Sequence, residues 1–164
     1  NEFSDFARMP KPLFKINNLN KVISENIELV NKLDPNIKIK LINHVSKDIN
    51  LKFDYEQFNR LFFNLIKNSV ESIQEKAIKD SKINQNIDIE IRQRRDYIII
   101  NILDTGIGFQ NKKTKDLIKP YFTTKEKGTG LGLSIVDKII SDHNGSIKFL
   151  NHKNGAKIQI IISK

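Results

Sequence analysis

Two asparagines and two glycine-rich segments carry the side chains and backbone most able to do chemistry in this chain of 164 residues. Asn64 and Asn68 are four residues apart, a spacing that places both side chains on one face of a helix. Asp104 opens residues 104–108, Asp-Thr-Gly-Ile-Gly, and residues 128–133 read Gly-Thr-Gly-Leu-Gly-Leu. Glycines directly before a helix expose free N–H groups at the positive end of the helix dipole, which favours phosphate. Together, in this order, the segments predict an ATP site.

Each segment alone has a simpler interpretation. Paired asparagines on a chain rich in Lys and Asn are usually solvated, and an isolated Asp-x-Gly is usually a turn. Other phosphate-binding motifs are missing from the sequence, which has no Gly-Lys-Ser or Gly-Lys-Thr, no dinucleotide fingerprint and no Ser/Thr kinase signature. The order of the segments therefore favours a different ATP fold.

Composition limits the other functions that need consideration. The absence of Cys excludes disulfides, thiolate zinc sites and thiol nucleophiles. The net charge of +9 raises the possibility of a nucleic-acid module, but the Lys residues are dispersed and no basic ribbon is interleaved with aromatics. No apolar run approaches the roughly 20 residues that span a bilayer. Positive charge is concentrated in one segment, where it would attract a polyphosphate ligand. The lysines of this segment are Lys112, Lys113, Lys115, Lys119, Lys125 and Lys127.

Hydrophobic periodicity predicts one domain of alternating helices and strands. Asp54 is expected to cap the long helix that carries the two asparagines, with Gln57 completing a capping box. On that helix the buried stripe is expected to be Phe58, Leu61, Phe62, Leu65, Ile66, Ser69, Val70 and Ile73. Further helices are predicted over about residues 19–33 and 133–140, and strands over about 37–42, 50–53, 87–92, 97–103, 147–149 and 157–162.

Asp104 ends a nearly all-apolar strand, so its carboxylate lies at the lip of a buried element, where recognition side chains are common. Residues 109–127 show no sustained period, which predicts a mobile loop that closes over a ligand. Its Tyr121 and Phe122 form an aromatic pair that could dock on the sheet.

These motifs resemble those of the ATP-binding catalytic domain of sensor histidine kinases. Residues 64–68, 104–108, 119–125 and 128–133 look like its N, G1, F and G2 boxes. The amino-acid sequence of nearly the whole chain is similar to the sequences of nitrogen-regulation sensor kinases of the NtrY type. The resemblance implies an α/β (α+β) two-layer sandwich of the Bergerat, or GHKL, class, with a mixed, mostly antiparallel sheet packed on three helices.

The resemblance also implies a role for each motif residue. Asp104 would accept a hydrogen bond from the adenine amino group, and Gly106 and Gly108 would admit the base. Asn68 would be the metal ligand, holding Mg²⁺, while Asn64 and Lys125 would be the catalytic residues. The full set implied to bind ATP is Asn64, Asn68, Asp104, Gly106, Gly108, Phe122, Lys125, Gly128, Thr129, Gly130, Leu131, Gly132 and Leu133.

Within this superfamily one position separates kinases from ATPases. Related gyrase, mismatch-repair and chaperone ATPases have a Glu general base where this chain has Asn64, and an amide cannot take a proton from water. Transfer rather than efficient hydrolysis is therefore expected. Two departures from the family pattern stand out: Glu71 replaces a basic residue, and Gly155-Ala156 replaces a Gly-Thr that often lines adenine.

The phosphoacceptor is expected in another part of the protein, because none of His44, His143 and His152 lies in a His-acidic helix motif. Residues 1–12 are interpreted as the tail of an upstream dimerisation and phosphoacceptor helix with its linker, and 13–164 as the catalytic domain with a lid at about 109–128. The resemblance implies phosphate transfer to that His and then to a response regulator, in a two-component system for signal transduction. It also implies a bacterial, cytoplasmic domain of a homodimeric parent anchored in the inner membrane.

Two alternatives remain at the level of sequence. One is a non-catalytic nucleotide sensor of the same fold, in which binding orders the lid for a partner protein. Glu71 is the feature that favours it. The other is a basic nucleic-acid module, which Asp104 at a strand end and the glycine segments do not support.

Overall fold

The computed structural model describes residues 9–110, 113–119 and 132–164, and those ranges contain seven strands and four helices. The strands are β1 (Lys15–Asn18), β2 (Lys38–Asn43), β3 (Asn50–Phe53), β4 (Asn86–Gln93), β5 (Tyr97–Asp104), β6 (Gly145–His152) and β7 (Gly155–Ser163). The helices are α1 (Leu19–Leu33), α2 (Tyr55–Lys79), α3 (Thr114–Leu117) and α4 (Gly132–Asp142).

Five strands form one mixed sheet in the order β2-β4-β5-β7-β6. The β2–β4 pair is parallel and the other three pairs are antiparallel. Strands β1 and β3 pair separately as a two-stranded antiparallel sheet. The predicted two-layer fold with a mixed, mostly antiparallel sheet is confirmed, and helices α1, α2 and α4 are the three that the fold requires.

The sheet buries one face against the helices because its strands alternate isoleucine with polar residues. In β4, Ile87, Ile89 and Ile91 are completely buried, whereas Asp88 and Glu90 between them are only half-buried. Burying one such side chain contributes roughly 1.5–3 kcal/mol. A register slip of one residue would turn these isoleucines to solvent, so the pattern fixes the pairing and with it the position at which β5 ends.

Helix α2 is the central helix of the core. All eight residues of its predicted apolar stripe are buried, and Phe58 stacks on Phe53 with ring centroids 4.4 Å apart. Helix α1 packs beside it, where the buried Asn26 donates through Nδ2 to Asn59 Oδ1 at 2.7 Å. These contacts fix the rotation of α2 and leave the Asn64 and Asn68 side of the helix half-buried at the edge of the core.

The cap of α2 differs in part from the prediction. Asp54 Oδ1 accepts from the backbone N–H of Gln57 at 3.0 Å, so the predicted N-cap is confirmed. The prediction that Gln57 completes a capping box is wrong, because its side chain donates to Pro10 O at 3.0 Å. The backbone N–H of Asp54 donates instead to Nε2 of His143 at 3.1 Å. The His143 ring thus accepts the hydrogen bond that the Gln57 side chain would accept in a capping box.

Two regular elements were not predicted. Strand β1 forms because the chain after Pro12 lies antiparallel to β3, a long-range pairing with no local signature. Helix α3 interrupts residues 109–127, so the expectation of an irregular segment is wrong over Thr114–Leu117. The side chain of Leu117 is only 7% exposed and joins the core. Within the described ranges, no helix combines the length and the apolar character needed to cross a membrane.

Candidate functional site

One face of α2 carries four polar side chains at a constant spacing of four residues: Asn64, Asn68, Ser72 and Lys76. All four are half-buried, neither in the core nor fully solvated. Because residues four apart stack along a helix, the four form a line of about 18 Å along the helix axis. The predicted asparagines therefore occupy one end of a longer polar line.

Asp104 lies at the end of β5 with only 5% of its surface exposed. Its Oδ1 accepts two backbone N–H groups, from Gly106 at 2.9 Å and from Ala156 at 3.2 Å. A carboxylate has about four lone-pair positions. Oδ2 therefore has capacity for a further donor, either a neighbouring hydroxyl or a ligand.

Burial raises the pKa of the Asp104 carboxyl above its ordinary value of 3.8. The N–H of Gly106, the hydroxyl of Ser69, the N–H of Ala156 and the charge of Lys76 act in the opposite direction. Ser69 Oγ is itself buried, and its hydroxyl is near enough to Asp104 to favour the carboxylate, although no partner among the described residues meets full hydrogen-bond geometry. A buried carboxylate beside an incompletely bonded hydroxyl is the kind of polar pair that a ligand can complete.

The loop after Asp104 is fixed against α2. Ser72 Oγ accepts from the backbone N–H of Ile107 at 2.9 Å. A Cβ at Gly106 would overlap the Ser72 side chain, so glycine is required for this close approach. Gly108 has a φ of +75°, a backbone conformation that glycine adopts at little cost.

The turn between β6 and β7 forms a second wall against Asp104. A Cβ at Gly155 would overlap the carbonyl oxygen of Asp104, which places the two backbones in direct contact. Near the same end of β6, beside the turn, Asn151 Oδ1 accepts from the backbone N–H of Phe109 at 2.8 Å. Lys76 Nζ donates to the carbonyl oxygen of Asn154 in the turn at 3.0 Å. The loop, the turn and α2 thus enclose the carboxylate from three sides.

Helix α4 begins beside the asparagine end of α2. An ideal Cβ built on Gly132 would lie 4.0 Å from Asn64 Oδ1, and Leu133 packs partly buried against the core. The structure therefore brings together Asn64, Gly132 and the N-terminus of α4, as the glycine motif predicts. The remaining predicted site residues lie outside the described residues: Phe122, Lys125, Gly128, Thr129, Gly130 and Leu131.

Other places in the fold fit less chemistry. A surface cavity of about 470 Å³ lies between the segment around Leu13 and the start of α2 at Tyr55, away from every described residue of the predicted site. Among the described residues, no group of three or more His, Cys, Asp and Glu side chains could hold a metal ion. A metal near Asn68 would therefore depend on amide, water and ligand oxygens.

Sequence reasoning missed four contributors to this site. Ser72 and Lys76 continue the spacing of the two asparagines, so extending the helical period by two steps would have found them. The sequence predicts that Ser69 is buried, but it does not predict that the Ser69 hydroxyl lies beside Asp104. The sequence also shows that Ala156 lacks a hydroxyl, but the backbone N–H of Ala156, which donates to Asp104, cannot be predicted from the type of side chain.

The arrangement suits a ligand with an amino group at one end and negative charge at the other. Asp104 presents a carboxylate to a hydrogen-bond donor among closely packed backbone segments. Ser69, which adjoins Asp104, lies five residues along α2 from Asn64, about 7.5 Å by the helical rise. Asn64 faces the start of α4, where the N–H groups of a helix N-terminus favour anions.

The sequence of this chain is similar to those of known proteins along nearly its whole length. The chain is 32% identical over 154 residues to nitrogen regulation protein NtrY of Azorhizobium caulinodans, covering 94% of this chain and 20% of that protein. It is 28% identical over 165 residues to sporulation kinase C of Bacillus subtilis, covering 97% of this chain and 37% of that protein. The chain thus spans only a fifth to about two-fifths of the length of these two relatives.

Solved structures and a family model agree with these relatives. The catalytic domain of histidine kinase ThkA, in a nucleotide-free form, matches with a TM-score of 0.79 and 28% identity, over 93% of this chain and 96% of that one. The model described as histidine kinase-, DNA gyrase B-, and HSP90-like ATPase matches residues 53–164. The chain therefore belongs to the family of histidine kinase-, DNA gyrase B- and HSP90-like ATPases, and its domain is of the histidine kinase catalytic type.

Proposed function

We propose that this domain binds Mg-ATP and donates the γ-phosphate to a histidine on an upstream domain of the same protein. The observation that carries the proposal is the Asp104 carboxylate, which is 5% exposed and held by two backbone N–H groups. Burying a charge costs free energy unless a partner compensates for it. An adenine amino group is such a partner, and it fits a carboxylate with one oxygen already saturated.

Shape supports adenine in this pocket. Gly106 and Gly155 bring backbone close to the carboxylate, and a side chain at either position would overlap a neighbour. Glycine at both positions therefore lets backbone rather than side chains surround Asp104, and in this proposal the flat base approaches Oδ2 edge on. Ser69 Oγ, which is buried beside Asp104 without full hydrogen-bond geometry, would gain a partner from a ring nitrogen or from a water bound with the base.

The phosphates would lie at the other end of the line on α2. In this proposal Asn68 Oδ1 holds Mg²⁺, and Asn64 contributes an amide beside it. The backbone of residues 130–133 and the Lys125 side chain would contact phosphate oxygens, while Phe122 and the 128–129 segment would complete the closed site. When bound, Mg²⁺ neutralises charge on the phosphates during transfer.

Transfer needs no nucleophile from this domain. A neutral imidazole nitrogen of the acceptor histidine attacks the γ-phosphorus, the bond between that phosphorus and the bridging oxygen breaks, and ADP leaves with the bond electrons. Positioning and charge neutralisation account for most of the catalysis of phosphoryl transfer. Asn64 cannot act as a base towards water, so the site favours transfer over hydrolysis.

The proposed boundaries follow the same reasoning. Residues 13–164 form the catalytic domain with a lid at about 109–128, and 1–12 lead back to the upstream dimerisation and phosphoacceptor domain of a homodimeric, membrane-anchored sensor. A response regulator would receive the phosphate. In support, ThkA, a fold neighbour with a TM-score of 0.79, has been solved in complex with the response regulator protein TrrA.

Titration calorimetry with a non-hydrolysable ATP analogue, with and without Mg²⁺, tests the binding step. Asp104→Asn is the matched variant, because its amide oxygen can still accept the N–H groups of Gly106 and Ala156 while its NH₂ opposes an adenine amino group. We expect binding by the native domain and a loss of about 100-fold or more in the variant, consistent with a lost charged hydrogen bond. Absence of binding by the folded native domain would reject the nucleotide site.

Labelled γ-phosphate tests the transfer step. The domain alone should transfer almost no label to itself, whereas the protein that includes its upstream segment should form an acid-labile, base-stable phosphohistidine. Nucleotide binding without transfer in the longer protein would support the alternative, a non-catalytic nucleotide sensor. The Glu71 side chain lies 4.0 Å from Lys67 Nζ, so the charge on which that alternative depends is itself engaged in an ion pair.

A further inference from the structure

We propose that Lys76 is a positioning residue for base recognition: its ammonium group latches the β6–β7 turn to α2 and thereby orients Asp104. The proposal deepens the nucleotide-binding function above and rests on it. Lys76 belongs to none of the four motif segments, and it lies three helical steps of four residues beyond Asn64 on the same face.

The first observation is the bond that spans the site. Lys76 Nζ donates to the carbonyl oxygen of Asn154 at 3.0 Å, joining residues 78 positions apart in the chain. Asn154 precedes Gly155 in the turn, which strand pairing holds to the sheet through His152 with Gly155 and Leu103 with Lys157. The Lys76 side chain is half-buried, and its surface bond adds a link from this turn to α2.

The second observation is what the turn does for the carboxylate. Gly155 lies so close to the carbonyl oxygen of Asp104 that a Cβ would overlap it. The next residue, Ala156, donates its N–H to Asp104 Oδ1 at 3.2 Å. Moving the turn away from α2 would lengthen this bond, which is already the longer of the two that saturate Oδ1.

The third observation is electrostatic. The positive charge of Lys76 lowers the pKa of Asp104, against the rise caused by burial. The same ammonium group therefore holds the wall of the pocket and favours the ionised carboxylate that an amino group requires. Ser72 fixes the opposite wall by accepting from Ile107 N–H, so α2 anchors both walls through neighbouring steps of one face.

Base discrimination follows from this arrangement. An oriented carboxylate favours adenine, which presents an amino group, over hypoxanthine, which presents a carbonyl oxygen at that position. A carboxylate that rotates freely discriminates less, because it can turn to meet other donors on the ring. Lys76 should therefore affect the ratio of ATP to inosine triphosphate affinity, which a residue acting only on stability would leave unchanged.

The test compares Lys76→Met with Lys79→Met in the intact domain by calorimetry. Lys79 is exposed on the last turn of the same helix, so both variants lose one positive charge and the same side-chain chemistry. We expect Lys76→Met to weaken ATP binding about three- to tenfold and to reduce the ATP to inosine triphosphate ratio, a modest effect because the lost bond acts on the ligand only through Asp104. Lys79→Met should match the native domain, and Lys76→Arg should restore the preference.

A ligand-free readout separates this inference from the proposed function. NMR titration of the Asp104 carboxyl carbon should show a higher pKa in Lys76→Met than in the native domain, together with faster exchange of the Ala156 N–H. Equal Asp104 titration in the native and Lys76→Met domains would overturn the latch even if ATP binds. A native domain that titrates as expected but binds no ATP would reject the proposed function alone. If Lys76→Met does not fold, Lys76→Gln provides the same comparison.

Discussion

At the scale of single residues, environment matters more than residue type. Asp104 and Asp88 are both strand aspartates of the same sheet, but only Asp104 is buried, and burial raises its pKa. At a pH above the folded pKa of Asp104, ionisation of this buried carboxyl therefore lowers the free energy of unfolding. The domain loses stability as pH rises from about 3.8 through that value, because the folded state then holds the proton more tightly than the unfolded state. In the proposed function this cost has a use, because ionised Asp104 is the form that would accept from the adenine amino group.

Asn64 is the residue at which the family resemblance places the difference between kinases and ATPases. Its Oδ1 faces the start of α4, 4.0 Å from the position of a Cβ on Gly132. A carboxylate placed there could take a proton from water, whereas the native amide cannot.

We therefore predict that Asn64→Glu raises ATP hydrolysis by the domain about tenfold, below the roughly 10²–10⁴-fold that a well-positioned general base supplies. Asn64→Gln is the control, since it has the same length and shape as Glu without the basic oxygen. Phosphate release measured at saturating Mg-ATP checks the prediction. Equal rates in the two variants would contradict the assignment of Asn64 to the general-base position.

At the scale of elements, the ends of α2 and α4 are coupled through one ring. His143 follows α4 directly, and its Nδ1 lies 2.7 Å from the carbonyl oxygen of Ile139. Its Nε2 accepts the N–H of Asp54, the N-cap of α2. The ring packs between Phe14 and Phe58, with centroid distances of 5.1 Å and 4.6 Å. The two helices that flank the site thus share a junction at the ends remote from Asp104.

Burial lowers the pKa of His143 below 6.5, and the Ile139 carbonyl, Asp54 and Asp142 offset part of that shift. The unfolded chain binds the proton at about pH 6.5, while the folded chain resists it until a lower pH. Stability from this group is therefore complete above about pH 6.5 and is lost as pH falls from there towards the folded pKa.

Urea unfolding at pH 7.5, 6.5 and 5.5 should accordingly show a native domain that weakens with acid. In His143→Gln the fall between pH 7.5 and 5.5 should be smaller, because the titrating group is gone, although the variant is weaker throughout by about 1–3 kcal/mol from lost bonds and packing. His152→Gln, which removes an exposed histidine, should keep the native pH dependence. A fall of native size in His143→Gln would show that other groups cause it.

Helix boundaries and strand pairings differ in how well sequence predicts them. The stripe of α2 repeats every three or four residues over about four turns, and the alternating isoleucines of β4 leave one register. Both are local signals, and both predictions are confirmed. Strand β1 has no such signal, since its partner β3 lies more than thirty residues away. The bond from Asp54 N–H to His143 spans 89 residues and displaced the predicted capping box for the same reason.

At the scale of the whole molecule, the fold class and the motif positions could be predicted because the site is assembled from segments with distinctive residue types. Asn64, Asp104 and Gly132 are unusual at their places in their elements, so sequence alone draws attention to them. The walls of the site could not be predicted, because they consist of backbone groups. Ala156 N–H, Ile107 N–H and Asn154 C=O are present in every sequence, and only the three-dimensional fold brings them to Asp104, Ser72 and Lys76.

One consequence concerns stability of the entire domain. Helix α2 supplies both the centre of the core and the floor of the site, since Phe58, Phe62 and Leu65 are fully buried while Asn64 and Asn68 face the proposed ligand. A ligand that binds α2 in its native position binds the folded state alone. Ligand binding and global unfolding should then be thermodynamically linked.

We predict that a non-hydrolysable ATP analogue with Mg²⁺, at one hundred times its Kd, stabilises the native domain by about 2.7 kcal/mol. For a domain of this size the melting temperature should rise by roughly 5–10 °C. Scanning calorimetry measures the shift, and Asp104→Asn under the same conditions should show almost none. An unchanged native melting temperature at a concentration that saturates the site would mean that the site survives the main unfolding transition. That result would contradict the placement of α2 in both the core and the site, since a helix that unfolds with the core cannot keep its ligand.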